Sequence, residues 1–203
     1  MLIIIDYGVG NLFSLSSSLK SLGVESKISD KKADILHADR VILPGVGAFE
    51  DAARKLRASG LDVPLYEVVN DGKPLLGICL GMQMLFDKSF EYGEHAGLGL
   101  IPGTVRAIEH DLQSVSLKIP HMGWNALRFT KPSPLFKYNK DSDYVYFVHS
   151  YYARDCAEDT LAYADYGIPL TAAVGKKNVF GTQFHPEKSG TAGLKILKAF
   201  SEL

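Results

Sequence analysis

Three things are scarce in this sequence, and each scarcity excludes a class of protein. The 203 residues contain only two cysteines, Cys79 and Cys156, which are too few for a disulfide framework and suit a reducing compartment. No run of 18 apolar residues occurs, and the first residues lack the basic region of a signal peptide. Excess charge is also missing, because 22 basic and 23 acidic residues give a net charge of −1. We therefore expect a cytoplasmic protein with neither a membrane nor a nucleic-acid partner.

Short apolar runs alternate with helical patterns in the first half of the chain. The unbroken apolar run Leu2–Ile5 predicts a strand, and the other strand candidates are Val24–Ile28, Arg40–Leu43 and Pro74–Ile78. The patterns between and after them predict helices at Asn11–Leu22, Asp30–His37, Ala48–Ala58, Leu65–Val69 and Leu80–Asp87. Strands that alternate with helices in this way indicate a parallel sheet with right-handed crossovers.

The second half of the chain has a different pattern, with closely spaced strands and a single helix at its end. The strand candidates are Thr104–Ile108, Ala126–Phe129, Tyr144–Val148, Leu161–Tyr166, Leu170–Val174 and Val179–Phe184, and the helix is Ser189–Leu203. Spacing this short favours antiparallel pairs. Because no linker or repeat is present, we expect one α/β domain over residues 1–203, with a central, mostly parallel sheet flanked by helices and antiparallel strands in its C-terminal half.

Glycine-rich turns suggest a nucleotide site at first sight, but their spacing argues against one. The pairs Gly8 and Gly10, Gly45 and Gly47, and Gly97 and Gly99 all lack the third glycine of a dinucleotide fingerprint. No phosphate loop that ends in Gly-Lys-Ser or Gly-Lys-Thr occurs in the sequence. Closely spaced cysteine pairs, which zinc sites use, are missing as well. We expect backbone turns at these glycines, and no cofactor or metal.

The two cysteines differ in their surroundings. Cys79 follows the predicted strand that ends at Ile78, and Gly77 and Gly81 lie two residues before and after it. This spacing at a strand-to-helix junction is that of a nucleophile elbow, with cysteine in place of serine. The N–H groups at the start of the following helix point at a thiol placed there and prepare it to attack. Cys156 lies in a polar run, so its thiol is interpreted as incidental.

A thiolate nucleophile needs a base to move protons and a group that orients the base. Of the six histidines, His185 directly follows a predicted strand and precedes Pro186 and Glu187. Proline restricts its own backbone and that of the residue before it, which fixes His185 relative to the carboxylate. Glu187 is thus predicted to accept a hydrogen bond from one ring nitrogen while the other faces the thiol.

These motifs resemble those of a known enzyme family. Gly77–Gln83, Pro44–Gly47 and His185–Glu187 are similar to class I, triad-type glutamine amidotransferases in general. A second set is similar to the glutaminase subunits of imidazole glycerol phosphate synthase in particular, namely Ile4–Asn11, Pro120–Asn125, Phe147–Tyr151 and Glu187–Ser189. The resemblance extends from the first strand to the last helix, and it implies the flavodoxin-like architecture of class I glutamine amidotransferases.

The resemblance implies a mechanism and a set of site residues. Cys79 attacks the side-chain amide of L-glutamine to give a γ-glutamyl thioester and ammonia, while His185 moves the protons and Glu187 orients it. The backbone N–H groups of Val46 and Leu80 form the oxyanion hole. By the same resemblance, the residues that bind glutamine are Gly47, Gln83, Glu91, His149 and Ser150.

The resemblance also implies a partner that consumes the ammonia. That partner is a separate cyclase subunit of the (β/α)8 barrel type, which forms a heterodimer with the glutaminase. It makes imidazole glycerol phosphate and an aminoimidazole carboxamide ribotide in histidine biosynthesis. We expect the isolated glutaminase to be nearly inactive until the cyclase docks. The candidate interface residues are Asn11, Pro120, His121, Met122, Trp124, Asn125 and Lys188.

Other interpretations of the same motifs remain open at this stage. A class I glutaminase that serves another synthase would share the triad, although Pro120–Asn125 disfavours it. A γ-glutamyl hydrolase or a cysteine peptidase on a similar scaffold would cleave its substrate without a partner. A thiol sensor would oxidise Cys79 rather than acylate it.

Overall fold

A computed structural model describes residues 1–112 and 117–203 and contains fourteen strands and six helices in those ranges. The strands are β1 (Leu2–Ile5), β2 (Ser26–Ser29), β3 (Arg40–Leu43), β4 (Leu75–Ile78), β5 (Phe86–Ser89), β6 (His95–Ala96), β7 (Ile101–Ala107), β8 (His121–Ala126), β9 (Arg128–Phe129), β10 (Tyr144–His149), β11 (Tyr151–Arg154), β12 (Thr160–Asp165), β13 (Pro169–Lys176) and β14 (Val179–Thr182). The helices are α1 (Leu12–Ser21), α2 (Lys32–Leu36), α3 (Phe49–Ala58), α4 (Asp62–Asn70), α5 (Leu80–Met84) and α6 (Gly190–Ser201).

Eight strands form the central sheet, in the order β2-β1-β3-β4-β14-β13-β12-β9. Neighbouring strands from β2 to β14 run parallel, and the pairs of β13 with β14, β12 with β13, and β12 with β9 are antiparallel. The predicted α/β class is therefore confirmed, with a mostly parallel sheet and antiparallel strands from the second half of the chain. Strands β1, β4 and β14 are buried at every position, as expected for strands that helices cover on both faces.

The sheet separates two apolar layers. Ile3 and Ile5 point into one layer, where they join side chains of α3, α4 and α5, while Leu2 and Ile4 point into the other, with α1 and α6. This alternation follows from the period of two along a strand. None of the helices within the described ranges has the length and the apolar composition needed to cross a bilayer.

Outside the central sheet, two smaller sheets correct parts of the prediction. The helix predicted over Leu80–Asp87 ends at Met84, and the chain continues as β5, which pairs in parallel with β7. The smaller sheets are β10-β8 and β11-β7-β5-β6. Strands β5, β6 and β11 were not predicted, and of β8 only Ala126 lay within a predicted strand. The strand predicted over Ala126–Phe129 is divided between β8 and β9, because Leu127 turns into the core.

Candidate active site

Two neighbouring parallel strands bring Cys79 and His185 together. Cys79 follows β4 directly, and His185 lies three residues after β14, so both residues are at the carboxyl ends of adjacent strands. The backbone N–H of Cys79 donates to the carbonyl of Thr182 at 2.7 Å, which extends the pairing to the nucleophile itself. Ligands of open α/β sheets bind at this edge.

The backbone around Cys79 forms the sharp elbow that the glycine spacing predicts. Cys79 has φ 55° and ψ −111°, a strained conformation for a residue with a side chain. A Cβ atom on Gly81 would lie 1.9 Å from the carbonyl oxygen of Leu43, and one on Gly77 would lie 2.6 Å from the carbonyl oxygen of Gly81. Glycine is therefore required at both positions, because strand ends and helix approach each other through bare backbone.

His185 is placed between a carboxylate and a thiol, as predicted. Its Nδ1 lies 2.8 Å from Glu187 Oε1, and both side chains are only 3% exposed. Burial alone would lower the pKa of His185. The hydrogen bonds with Cys79 and Glu187, and the negative charge of these two groups, outweigh that effect and raise the pKa of His185 to about 10. The imidazolium form is thus favoured beside the sulfur atom of Cys79.

One cavity of about 390 Å³ opens onto this pair, a volume that suits an amino-acid substrate. Besides Cys79 and His185, its walls contain every residue predicted to bind glutamine or the oxyanion, and three residues without such a prediction. The lining residues are Val46, Gly47, Cys79, Leu80, Gln83, Glu91, Pro120, Val148, His149, Ser150, Tyr151 and His185. Pro120 was expected only at the partner interface, whereas Val148 and Tyr151 had not been assigned any role.

The polar groups beside the thiol include one residue that the sequence did not reveal. Gln83 Nε2 donates to the carbonyl of Tyr151 at 3.0 Å and to Gln183 Oε1 at 2.9 Å. Gln183 is fully buried, and its Nε2 lies 3.8 Å from the sulfur of Cys79. The available signal for Gln183 was an amide side chain within the strand predicted over Val179–Phe184, because an amide buried there needs polar partners.

Glu91 brings a negative charge to the cavity wall. Its Oε2 accepts a hydrogen bond from the backbone N–H of Phe49 at 2.5 Å, at the first residue of α3. That contact fixes the carboxylate at a helix N-terminus, where a negative charge is stabilised. Glu91 also lines the 390 Å³ cavity, so its charge lies at the cavity wall.

The candidate interface residues lie mostly on the surface, with one clear difference from expectation. Met122 is 65% exposed and Trp124 55% exposed, and Pro120 and Lys188 are exposed as well. Asn11 and Asn125 are half-buried. His121 is only 2% exposed, because its ring stacks on Phe147 and packs against Tyr166. Its side chain therefore offers no free surface to a partner in this structure.

Two further features concern groups near and far from the cavity. Glu187 Oε2 makes no hydrogen bond to any residue that the structure describes, and it borders a small cavity that Asn11 also lines.

Cys156, expected in a polar loop, is instead buried beside Thr160, and burial raises the pKa of its thiol. A buried thiol with a raised pKa is unreactive, in agreement with the incidental role assigned to it.

A buried cysteine at a strand-to-helix elbow, next to a histidine–glutamate pair, is the arrangement of thiol-based acyl-transfer enzymes. The family model described as glutamine amidotransferase class-I matches residues 3–202. The chain belongs to the class-I glutamine amidotransferases. Among solved structures, a glutamine amidotransferase with 22% identity superimposes with a TM-score of 0.76 over 98% of this chain and 97% of that one. The structure of PurLQS from Thermotoga maritima gives a TM-score of 0.74 at 20% identity, over 98% of this chain and 96% of that one.

Curated relatives place the chain more narrowly. It is 51% identical to the imidazole glycerol phosphate synthase subunit HisH of Bacillus velezensis, over 100% of this chain and 96% of that protein. It is also 49% identical to the subunit of the same name from Bacillus subtilis, with the same coverage. The chain is a member of the HisH subunit family within the class-I glutamine amidotransferases.

Proposed function

We propose that this chain is the glutaminase subunit of an imidazole glycerol phosphate synthase and hydrolyses L-glutamine to glutamate and ammonia. The observation that carries the proposal is the 390 Å³ cavity that both Cys79 and His185 line, with Glu187 hydrogen-bonded to the histidine. Membership of the HisH subunit family supports the same function.

The chemistry follows from the order of these groups. The sulfur of Cys79 attacks the side-chain amide carbon of glutamine. The oxyanion that forms accepts hydrogen bonds from the backbone N–H groups of Leu80 and Val46. One such donor typically contributes about 2.7–4 kcal/mol of transition-state stabilisation. His185 donates its proton to the departing nitrogen, so that ammonia leaves and a γ-glutamyl thioester remains. His185 then removes a proton from water, which hydrolyses the thioester to glutamate and frees Cys79.

Substrate selection is assigned to the polar wall of the cavity. The carboxylate of Glu91 accepts hydrogen bonds from the α-ammonium group of glutamine, and its contact with α3 keeps the carboxylate in place. The amide nitrogen of Gln83 donates its hydrogen bonds to Tyr151 and Gln183, so we propose that Gln83 shapes the cavity wall beside the thiol. Gly47, His149 and Ser150 also line the cavity and complete the site, and Gly47 has a φ of 90°, a conformation that favours glycine.

The ammonia is proposed to pass to a separate cyclase subunit of the (β/α)8 barrel type, in a heterodimer that makes imidazole glycerol phosphate. The relatives are named as subunits of this synthase, which supports a partner. Met122 and Trp124 expose large apolar side chains on the strand that follows Pro120, a residue of the cavity wall, as expected of an interface. We place the complex in the cytoplasm, since both cysteines are free and the relatives' names describe a synthase.

The test is glutamine hydrolysis by the purified chain, with and without a histidine-pathway cyclase. Glutamate release is expected to depend on the cyclase and to be lost in Cys79→Ser. Cys156→Ser is the matched control and should retain the activity. Treatment of the complex with 6-diazo-5-oxo-norleucine should add one mass adduct, at Cys79. Absence of that adduct, or equal turnover by Cys79→Ser, would refute the proposal.

A further inference from the structure

A continuous chain of buried hydrogen bonds joins strand β8 to the wall of the glutamine cavity. Asn125 Nδ2 lies 3.3 Å from His121 Nε2, and His121 Nδ1 lies 2.9 Å from His149 Nε2. His149 Nδ1 lies 2.8 Å from the carbonyl oxygen of Tyr151. His121 and His149 are 2% and 6% exposed, so water does not replace these contacts.

Backbone groups at the two ends fix the direction of every hydrogen bond in this chain. The carbonyl of Tyr151 accepts only, so the proton of His149 is on Nδ1 and its Nε2 accepts. His121 must then donate from Nδ1, which leaves its Nε2 as an acceptor. At the other end, Ala126 N–H donates to Asn125 Oδ1 at 2.8 Å, so the amide nitrogen of Asn125 faces His121 as a donor.

Burial keeps both histidines neutral, as this arrangement requires. Burial lowers the pKa of His121 to about 4, and burial together with the nearby His121 and His185 lowers the pKa of His149 to about 3. The titratable groups that face the pair are Tyr166 beside His121 and His185 beside His149. Asp165 contacts the chain only through its backbone carbonyl, which accepts from Asn125. A proton added to His121 Nε2 would point at the amide hydrogens of Asn125 and break the chain.

The same strand presents its opposite face to solvent. His121 and Asn125 lie on the inner side of β8, whereas the alternate residues Met122 and Trp124 are exposed. Strand β8 pairs with β10 along its whole length, and His121 is directly opposite His149. The hydrogen-bond chain therefore connects a candidate partner surface with the segment of β10 that lines the cavity.

We propose that Asn125 and His121 are positioning residues for the glutamine site, which they serve by holding His149 neutral in its Nδ1–H form and fixing the cavity wall from Val148 to Tyr151. The proposal rests on the glutaminase function above. It assigns His149 no part in proton transfer, because both of its ring nitrogens are engaged.

A matched pair of variants at His121 tests the positioning role. Gln in His121→Gln can donate to His149 and accept from Asn125, whereas Phe in His121→Phe keeps the stacking on Phe147 and Tyr166 but makes neither hydrogen bond. In the complex with the cyclase, His121→Phe should raise the KM for glutamine about tenfold and change kcat less than twofold. His121→Gln should stay within about threefold of the wild-type KM. Equal effects of the two variants, or a loss confined to kcat, would overturn the proposal.

A second measurement does not depend on catalysis or on how the variants fold. Nitrogen-15 NMR of the wild-type chain should show His121 and His149 protonated on Nδ1 and not titrating between pH 8 and pH 5. An Nε2–H form of either residue, or titration near pH 6.5, would overturn the assignment. Failure of the wild-type complex to hydrolyse glutamine would instead refute the proposed function, so the two failures are distinguishable.

Discussion

Substitution of Gly81 by alanine tests whether the close approach at the elbow sets the geometry of the active site. The added Cβ would lie 1.9 Å from the carbonyl oxygen of Leu43, and contacts below 3.0 Å essentially never occur. The end of β3 and the start of α5 must therefore separate by about 1 Å, and overpacking of this kind costs roughly 3 kcal/mol. Because Leu43 directly precedes Pro44–Gly47, the loop that carries Val46 moves with it.

The expected result is a loss of both stability and activity. A misplacement of about 1 Å near reacting groups costs on the order of 100-fold in rate, so glutamine hydrolysis by the complex should fall at least that far. Gly60→Ala is the matched control, because Gly60 has a φ of 67° but nothing within 4 Å of its added Cβ. It should lose about 1–2 kcal/mol from backbone strain and keep its activity. Urea unfolding and glutamate release measure the two effects. The reasoning is refuted if Gly81→Ala loses no more stability than Gly60→Ala and retains normal turnover.

Two further predictions concern the ionisation of buried groups. Glu187→Gln removes a negative charge that helps to raise the pKa of His185 to about 10. NMR titration should show a lower pKa for His185, and hydrolysis should fall about 100-fold or more; an unchanged pKa would contradict the assigned pairing. The second prediction is acid sensitivity: because His121 and His149 bind protons only after unfolding, the free energy of unfolding should decrease as the pH falls from 6.5 towards 4. Two such groups give a slope of about 2.7 kcal/mol per pH unit, and a flat profile in urea unfolding over this range would disprove their neutrality.

Local sequence signals predicted the parts of the site that lie within a few residues of one another. The bounds of β1 and β3 match the prediction, because the apolar residues Leu2–Ile5 are followed by Asp6 and those of Val41–Leu43 by Pro44. The elbow at Cys79 followed from two glycines at fixed spacing. The pairing of His185 with Glu187 followed from the proline between them.

Contacts between distant segments were less accessible to prediction. The spacing of apolar residues in Leu80–Asp87 is typical of a helix. The chain nevertheless leaves the helix, because its last residues form β5, which pairs with β7. The chain through His121 and His149 depends on the register of β8 against β10, which no local pattern specifies. Gln183 likewise gains its role from a side chain that lies far away in the sequence, Gln83.

The neighbouring positions of β4 and β14 have a consequence for synthesis of the chain. Cys79 and Gln183 are 104 residues apart in the sequence, yet they meet across these two strands. During translation, Cys79 is therefore synthesised long before the residues that activate it. Pairing between such distant segments also forms late in folding. A nascent chain that ends before His185 and Glu187 therefore carries a thiol without its base, and we expect it to leave glutamine intact.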